Sequence, residues 1–351
     1  MDRYIGIDAH SASCTVAVIG PTGKRISSQV IETNGKSLVT AVGVIPGTRH
    51  VIFEEGNLAA WMYELLDPLA HETVVVRVSK KRRGSKNDEI DAFGLAESLR
   101  IKSFENRVYK KVGEFAELAE LARAYRVVMR DSVRAQNRIK GLLRSRAVPT
   151  AGKKDIYSSA GRPAYVRRLP ARSKPRAKTL YAEMDLLLEL RKHAEKEMIT
   201  EAKKHRVFHI IKTIPGLGDI RVAQLLPLVV TPYRFRNKRT FWAYIGLAIV
   251  TSSSSDWVQD PDGKWHRTKG EMTRGLNRNY NRALKDIFKG AASTVVQCKH
   301  DDPIYHHYNA LLDDGTKPPL AKLTIARQIA SITLGLWRTG EEYEPKKLLK
   351  Q

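Results

Sequence analysis

The chain has little of what a secreted or membrane-spanning protein needs. Two cysteines, Cys14 and Cys298, stand far apart in 351 residues. They form neither a disulfide framework nor the close Cys/His spacing of a zinc site. No apolar run approaches the roughly 20 residues of a spanning helix. Met1-Asp2-Arg3 leads straight into an expected strand, without a signal-peptide pattern. Acidic residues are also scarce: 37 Asp and Glu face 61 Lys and Arg, a formal net charge of +24. So basic a chain favours a polyanionic partner, and with a membrane disfavoured that partner is nucleic acid. The expected location is the cytoplasm.

Alternation at period two predicts strands within residues 4–19 and from Arg25 to Ile31, joined by the turn Pro21-Thr22-Gly23-Lys24. A helix near 36–43, a buried strand Val51 to Glu54, a helix from about Leu58 to Leu69 and a strand Val74 to Val78 follow. The basic loop Lys80-Lys81-Arg82-Arg83-Gly84 precedes a helix bearing Asp88, Asp91 and Leu95. A meander followed by alternating helices and strands implies a mixed sheet covered by helices. From 112 to 147 and from 177 to 204 the spacing becomes near-heptad, which predicts a helical hairpin or coiled coil. Between them, residues 148–176 are rich in Pro, Gly, Ser, Lys and Arg and read as a loop or flexible basic linker. The C-terminal part begins near 206. Expected helices there are Ile220 to Val229, Lys238 to Ile245, 276–296 and 318–338, with a hairpin from Trp257 to His266 turning at Pro261-Asp262-Gly263-Lys264.

Against this basic background, four carboxylates stand at element ends. Asp8 ends Tyr4-Ile5-Gly6-Ile7-Asp8, Glu54 ends Val51-Ile52-Phe53-Glu54, and Asp88 and Asp91 are three residues apart on one helix face. Glu54 is preferred to Glu55 because Phe53 is the last apolar residue of its strand, and Glu89 is only a neighbour of the helical pair. Crowded carboxylates repel one another and resist ionisation. A hard cation such as Mg²⁺ relieves this through oxygen ligands and substrate phosphate. Two such ions activate one oxygen and stabilise another in phosphoryl transfer. Any one of these residues alone reads as a solvated end; the set of four in so basic a chain favours a metal.

Three further features bear on nucleic acid. Ile214-Pro215-Gly216-Leu217-Gly218 opens a helix, either as a plain entry turn or as a hairpin offering backbone N–H groups to phosphate. Ser252 to Ser255 read as a loop by composition, yet a serine hydroxyl can also attack phosphorus, helped by cations such as Arg274, Arg278 and Arg282. Basic clusters lie at Lys80–Arg83, Arg167-Arg168, Arg172–Arg176 and Arg234–Arg239. Tyr233, Phe235 and Trp242, within and beside the last, suit stacking on exposed bases.

In this order the motifs resemble those of the DEDD transposases of bacterial insertion sequences, the IS-one-ten family of bridge-RNA-guided recombinases. The resemblance spans nearly the whole chain. It rests on Gly6-Ile7-Asp8, Glu54, Lys86-Asn87-Asp88-Glu89-Ile90-Asp91-Ala92, Ile214–Gly218, Arg234-Phe235, Tyr244-Ile245-Gly246-Leu247 and the serine run. It implies a RuvC-like, RNase H-fold α/β domain over 1–108 and a helical coiled-coil region over 109–205 with the basic linker near 148–176. A mainly α transposase domain over 206–351 carries the serine. Asp8, Glu54, Asp88 and Asp91 would hold Mg²⁺, or alternatively Mn²⁺. The family has Ser-Gly where this chain has serines. Counting from Gly246-Leu247, the nucleophile would be Ser254, with Ser255 replacing the glycine and Ser253 as second choice. The implied protein is a site-specific recombinase that excises and inserts its own element through a phosphoserine intermediate. It would work in a bacterial or archaeal cell, associated with the nucleoid. Donor DNA, target DNA, a structured guide RNA and further copies of itself, as dimer or tetramer, would be its partners. The carboxylates of one subunit would meet the serine of another. The alternatives are a Holliday-junction resolvase using carboxylates and water, and a nucleic-acid-binding protein without catalysis, which a missing carboxylate would favour; none is missing. A sugar-kinase or actin-like ATPase shares the opening strand but would need Gly-rich phosphate loops that the chain lacks.

Overall fold

A computed structural model describes residues 1–77, 87–104, 106–110, 113–150, 152, 155–252, 257–267 and 272–348. The chain divides into two units, Met1–Glu114 and Phe115–Gln351.

The first unit is built on one mixed sheet. Strands β1 (Asp2–Ala9), β2 (Ser13–Ile19) and β3 (Arg25–Glu32) form the expected antiparallel meander. Helix α1 (Gly35–Gly43) leads to β4 (Thr48–Glu54), α2 (Ala59–Leu66) to β5 (Glu72–Val76), and α3 (Asp88–Arg100) to the short edge strand β6 (Arg107–Val108). The strand order is β3-β2-β1-β4-β5-β6, with β4 parallel to both β1 and β5. Alternation assigns the two faces. Ile5, Ile7, Val16, Val51, Phe53 and Val75 bury against Leu38, Val42, Met62 and Leu66 of α1 and α2. On the opposite face Ala17 and Ile19 meet Ala92, Phe93 and Ala96 of α3, and Ile52, Val74 and Val76 meet Leu99.

Gly6 sets how closely α3 approaches the sheet. A Cβ there would lie 2.0 Å from the Ala92 carbonyl oxygen and 2.7 Å from the Ala96 nitrogen. Only glycine lets the helix backbone rest on β1 at that distance, so the glycine of Gly6-Ile7-Asp8 seats the helix that carries the other acids.

The second unit opens with α4 (Ala116–Arg144), followed by α5 (Arg162–Arg167) and α6 (Lys174–Ala202). The near-heptad stripes become the two sides of an antiparallel hairpin. Leu118, Ala122 and Tyr125 at one end of α4 share a core with Met198 and Ala202. Ala135, Ile139 and Leu143 at its other end pack with Ala177, Tyr181 and Met184.

The stretch expected as a flexible basic linker, 148–176, is instead folded onto this hairpin where it is described. Ile156, Tyr165 and Leu169 are buried. Both Nη atoms of Arg162 donate to Asp185 at 2.5 Å, and its guanidinium lies over Tyr181. Two of the four prolines in 148–176, Pro163 and Pro175, occupy first-turn positions of α5 and α6, where the missing N–H costs nothing.

Helices α7 (Arg206–Lys212), α8 (Asp219–Val229) and α9 (Lys238–Tyr244) precede strands β7 (Ile249–Ser252), β8 (Trp257–Gln259), β9 (Trp265–Arg267) and β10 (Met272–Leu276). Helices α10 (Arg282–Cys298), α11 (Pro303–Asp313) and α12 (Pro318–Thr339) follow. Phe208, Leu226, Phe241, Phe288, Ile325 and Ile329 lie at the core of this part. The hairpin expected at 257–266 is β8–β9. The helix expected at 276–296 starts later: residues 272–276 pair with β7, and the Asn281 side chain caps α10 by accepting from the Leu284 amide. Helix α11 was not expected from the sequence.

Candidate functional site

Asp8 and Glu54 follow the paired residues Ile7 and Phe53 on neighbouring parallel strands, so their backbones stand at the same level. Gly6 and Ile52 face α3, and by strand alternation Asp8 and Glu54 lie on that same side. Helix α3 starts there because the Asn87 side chain accepts from the Glu89 amide. Its first turn gathers Asp88, Glu89 and Asp91, which also suits the positive end of the helix dipole. Sheet and helix thus bring acids from distant parts of the sequence to one end.

Burial, with the neighbouring Asp88 and Asp91 carboxylates adding to it, raises the Asp8 carboxyl above its ordinary range, and His10 offsets part of this. The His10 Nε2 lies 3.4 Å from an Asp8 oxygen and 3.6 Å from an Asp88 oxygen. Donor atoms of Asp8, His10 and Asp88 all lie within 4.8 Å of one another. Asp91 is close enough to act on Asp8 but stands outside that tight group, as does Glu54. Glu55 is held by Lys110 at 3.0 Å.

This donor set fits a divalent cation. Carboxylates from a paired strand and a capped helix crowd into one place, leaving charge that a cation would neutralise. His10 is not among the residues expected from the sequence. Its signal was the Asp8-Ala9-His10 spacing at a strand end, which returns both side chains to one side. An imidazole nitrogen beside carboxylates can add a ligand to a divalent cation, and Mn²⁺ serves as the probe. His10→Ala should weaken Mn²⁺ binding to the purified chain by about tenfold, read by titration calorimetry. An unchanged affinity would place the imidazole outside the centre.

The second unit holds the segment that leads to the serine run. The Asn237 and Thr240 side chains cap α9 reciprocally. After α9 the chain turns at Gly246 (φ +73°), where a Cβ would stand 2.4 Å from the Tyr280 ring. The Leu247 amide donates to the Trp242 carbonyl at 2.8 Å, and Arg327 Nε donates to the Leu247 carbonyl at 2.7 Å. This anchored turn feeds β7, whose last residue is Ser252. Ser253 and Ser254 lie outside the described residues, as does the basic loop at 80–84. Arg278 and Arg282 are exposed; the Arg274 backbone lies in β10.

Of the aromatics expected to stack on bases, Phe235 is buried and Arg234 lies over it and over Tyr244. The Trp242 indole donates to the Arg327 carbonyl and to Ser331. Only Tyr233 of the three is strongly exposed, at 73 %. Core packing, which a basic flank conceals in sequence, took the other two.

Ile214–Gly218 forms the turn between α7 and α8. Arg221 braces it by donating to the Gly216 carbonyl at 2.8 Å and to Thr294 at 3.0 Å. Helix α8 has no side-chain cap at Gly218.

No described helix is long and apolar enough to cross a membrane. No curated protein matches the chain. Two family models do. A transposase model of the DEDD, IS110 type covers residues 5–147, with all four acids and His10 inside it. A second, described as transposase of the IS116/IS110/IS902 family, covers residues 208–308, with the Gly246 turn and the serine run. The two matches follow one another in the order the motifs demand, and the chain belongs to the IS110 family of DEDD transposases, proteins of DNA transposition and recombination.

Proposed function

We propose that this transposase is an RNA-guided, site-specific recombinase that cuts and rejoins DNA through a phosphoserine ester. The observation that carries the reading is the convergence of Asp8, Asp88 and His10, with Asp91 beside them, at the end of β1. The strand order, a meander continued by parallel strands, supports a RuvC-like, RNase H-type first domain. The net charge of +24 supports simultaneous engagement of DNA and a structured guide RNA.

Asp8, Glu54, Asp88 and Asp91 would hold the metal. When bound, a divalent cation supplies charge stabilisation to a phosphoryl group in transfer. Asp8 is fixed by the β1 pairing and Asp88 by the α3 cap, so the carboxylates are pre-positioned rather than recruited. Ser254, with Ser253 as second choice, attacks phosphorus. Its Oγ–P bond forms as the bond from phosphorus to one deoxyribose oxygen breaks, and that oxygen leaves protonated. A deoxyribose hydroxyl of the exchanged strand then reverses the step and releases the serine. Phosphodiester bonds are conserved in number, so no energy source is required. The assembly would be a dimer or tetramer.

The test is an in-vitro recombination reaction with Mg²⁺, cognate RNA and both DNAs, denatured and probed for protein attached to DNA. Wild type should give adduct and recombinant product, and Ser254→Ala and Asp88→Ala should lose both. If Ser254→Ala still forms adduct, the nucleophile is Ser253. If it cuts without any adduct, water is the nucleophile and the phosphoserine reading is lost.

A further inference from the structure

The outer face of α4 carries Arg123, Arg126, Arg130, Arg134 and Arg138. At about 100° per residue these five fall within an arc of about 120°. That arc is opposite the stripe that buries Leu118, Ala122, Tyr125, Ser132 and Ile139. Four of the five are exposed and Arg126 is half-buried. From first to last they span about 22 Å at 1.5 Å per residue.

The charges on this face are incompletely matched. Arg123 pairs with Glu120, Arg134 with Asp131, and Arg138 with Glu183. Arg126 and Arg130 donate to carbonyls of their own helix, at 3.2 Å to Ala122 and 3.1 Å to Arg126. Neither has a carboxylate within ion-pair distance among the described residues. Burial, and then the charges of Arg130 and Arg123, make the Arg126 guanidinium easier to deprotonate than usual. Like charges at this spacing oppose the helix that carries them, and a row of phosphates would relieve that opposition.

We infer that this arginine face of α4 is a docking surface for the phosphate backbone of duplex DNA. Guanidinium groups bind phosphate in two-point fashion, which suits a backbone track better than a solvated face requires. The exposed apolar residues flanking the row are Val127 and Val133. Among the described residues of α4 no exposed ring is offered for stacking, whereas sites for single strands are built on aromatic platforms. The span of the row matches about six base-pair steps at 3.4 Å each. The inference rests on the family's DNA substrate and not on the phosphoserine chemistry.

The test uses the full chain in EDTA, so binding is read without cleavage and a failed catalytic centre leaves the result unchanged. Arg126, Arg130 and Arg134 are replaced together by glutamine, which keeps helix propensity. Affinity for a random 30-base-pair duplex is followed by fluorescence anisotropy against salt. Each phosphate contact contributes about 0.9 to the slope of log K on log salt, so the slope should fall by about 2.7 and affinity by tenfold or more. The triple Arg→Lys variant should restore most of the slope. If the glutamine variant misfolds by circular dichroism, Arg130→Gln alone should still lower the slope by about 0.9. An unchanged slope in a folded variant overturns the inference. A loss seen with structured RNA or single-stranded DNA but not with duplex overturns it in favour of those ligands. A changed oligomeric state by light scattering with an unchanged slope overturns it in favour of a second copy of the chain.

Discussion

Replacing Asp8 with asparagine should abolish recombination while leaving the metal-free fold as stable as wild type or more so. Asp8 anchors the acidic centre from β1, and the charge lost is the one that Asp88, Asp91 and His10 surround. Removing one pre-positioned electrostatic group from such a centre costs on the order of 10³-fold in rate. The stability effect has the opposite sign. The folded state raises the Asp8 carboxyl, chiefly by burial, so ionising it costs stability above its folded range and nothing below its unfolded value. In chelator at neutral pH, Asp8→Asn should therefore melt at or above the wild-type temperature, and the gap should close as pH falls through the raised Asp8 range. In saturating divalent cation the order should reverse, because bound metal stabilises only the charged centre. Thermal unfolding in the two conditions decides it. A variant that melts well below wild type in chelator would show that Asp8 serves the fold rather than a cation.

The second large effect is expected at Gly6. In Gly6→Ala the added methyl meets the α3 backbone at 2.0 Å from the Ala92 oxygen, and backbone cannot rotate aside as a side chain would. Helix α3 must lift from the sheet, opening the contacts that Ala92, Ala96 and Leu99 make there. A loss of about 3 kcal/mol is expected, at the upper end for overpacking. Gly20→Ala is the control. Its nearest contact beyond its chain neighbours is the Ile26 side chain at 3.7 Å, so it should change stability by less than about 1 kcal/mol. Because α3 carries Asp88 and Asp91, Gly6→Ala should also weaken metal binding even where it still folds. Denaturant unfolding of both variants checks the pair. Equal stabilities would mean that α3 does not rest on β1 through Gly6.

The first unit was the more legible in sequence. Its strands announce themselves by alternation, and its acids fall at the ends of runs that periodicity marks without help from the rest of the chain. In the middle, composition outweighs periodicity and points to a linker where the chain folds. Pro163, Pro175 and the arginines around them resemble a linker, whereas Asp185 and Tyr181, offered by α6, and the Tyr157 carbonyl hold Arg162 in place. The aromatic cluster departs from its sequence pattern in the same direction, toward packing. Phe235 and Trp242 sit in a basic run that suggests base stacking, but contacts with Phe241 and Arg327 draw them inward. The Arg327 contact, 85 residues away in sequence, leaves no local signature.

The sequence by itself determined the charge, the strand and helix periods, and which carboxylates stand at element ends, because these depend on neighbours a few residues away. Only the tertiary structure decided that His10 joins Asp8 and Asp88 and that Lys110 holds Glu55. Those outcomes turn on how closely one backbone approaches another. At the acidic centre that distance is set by the absence of a single methyl group at Gly6.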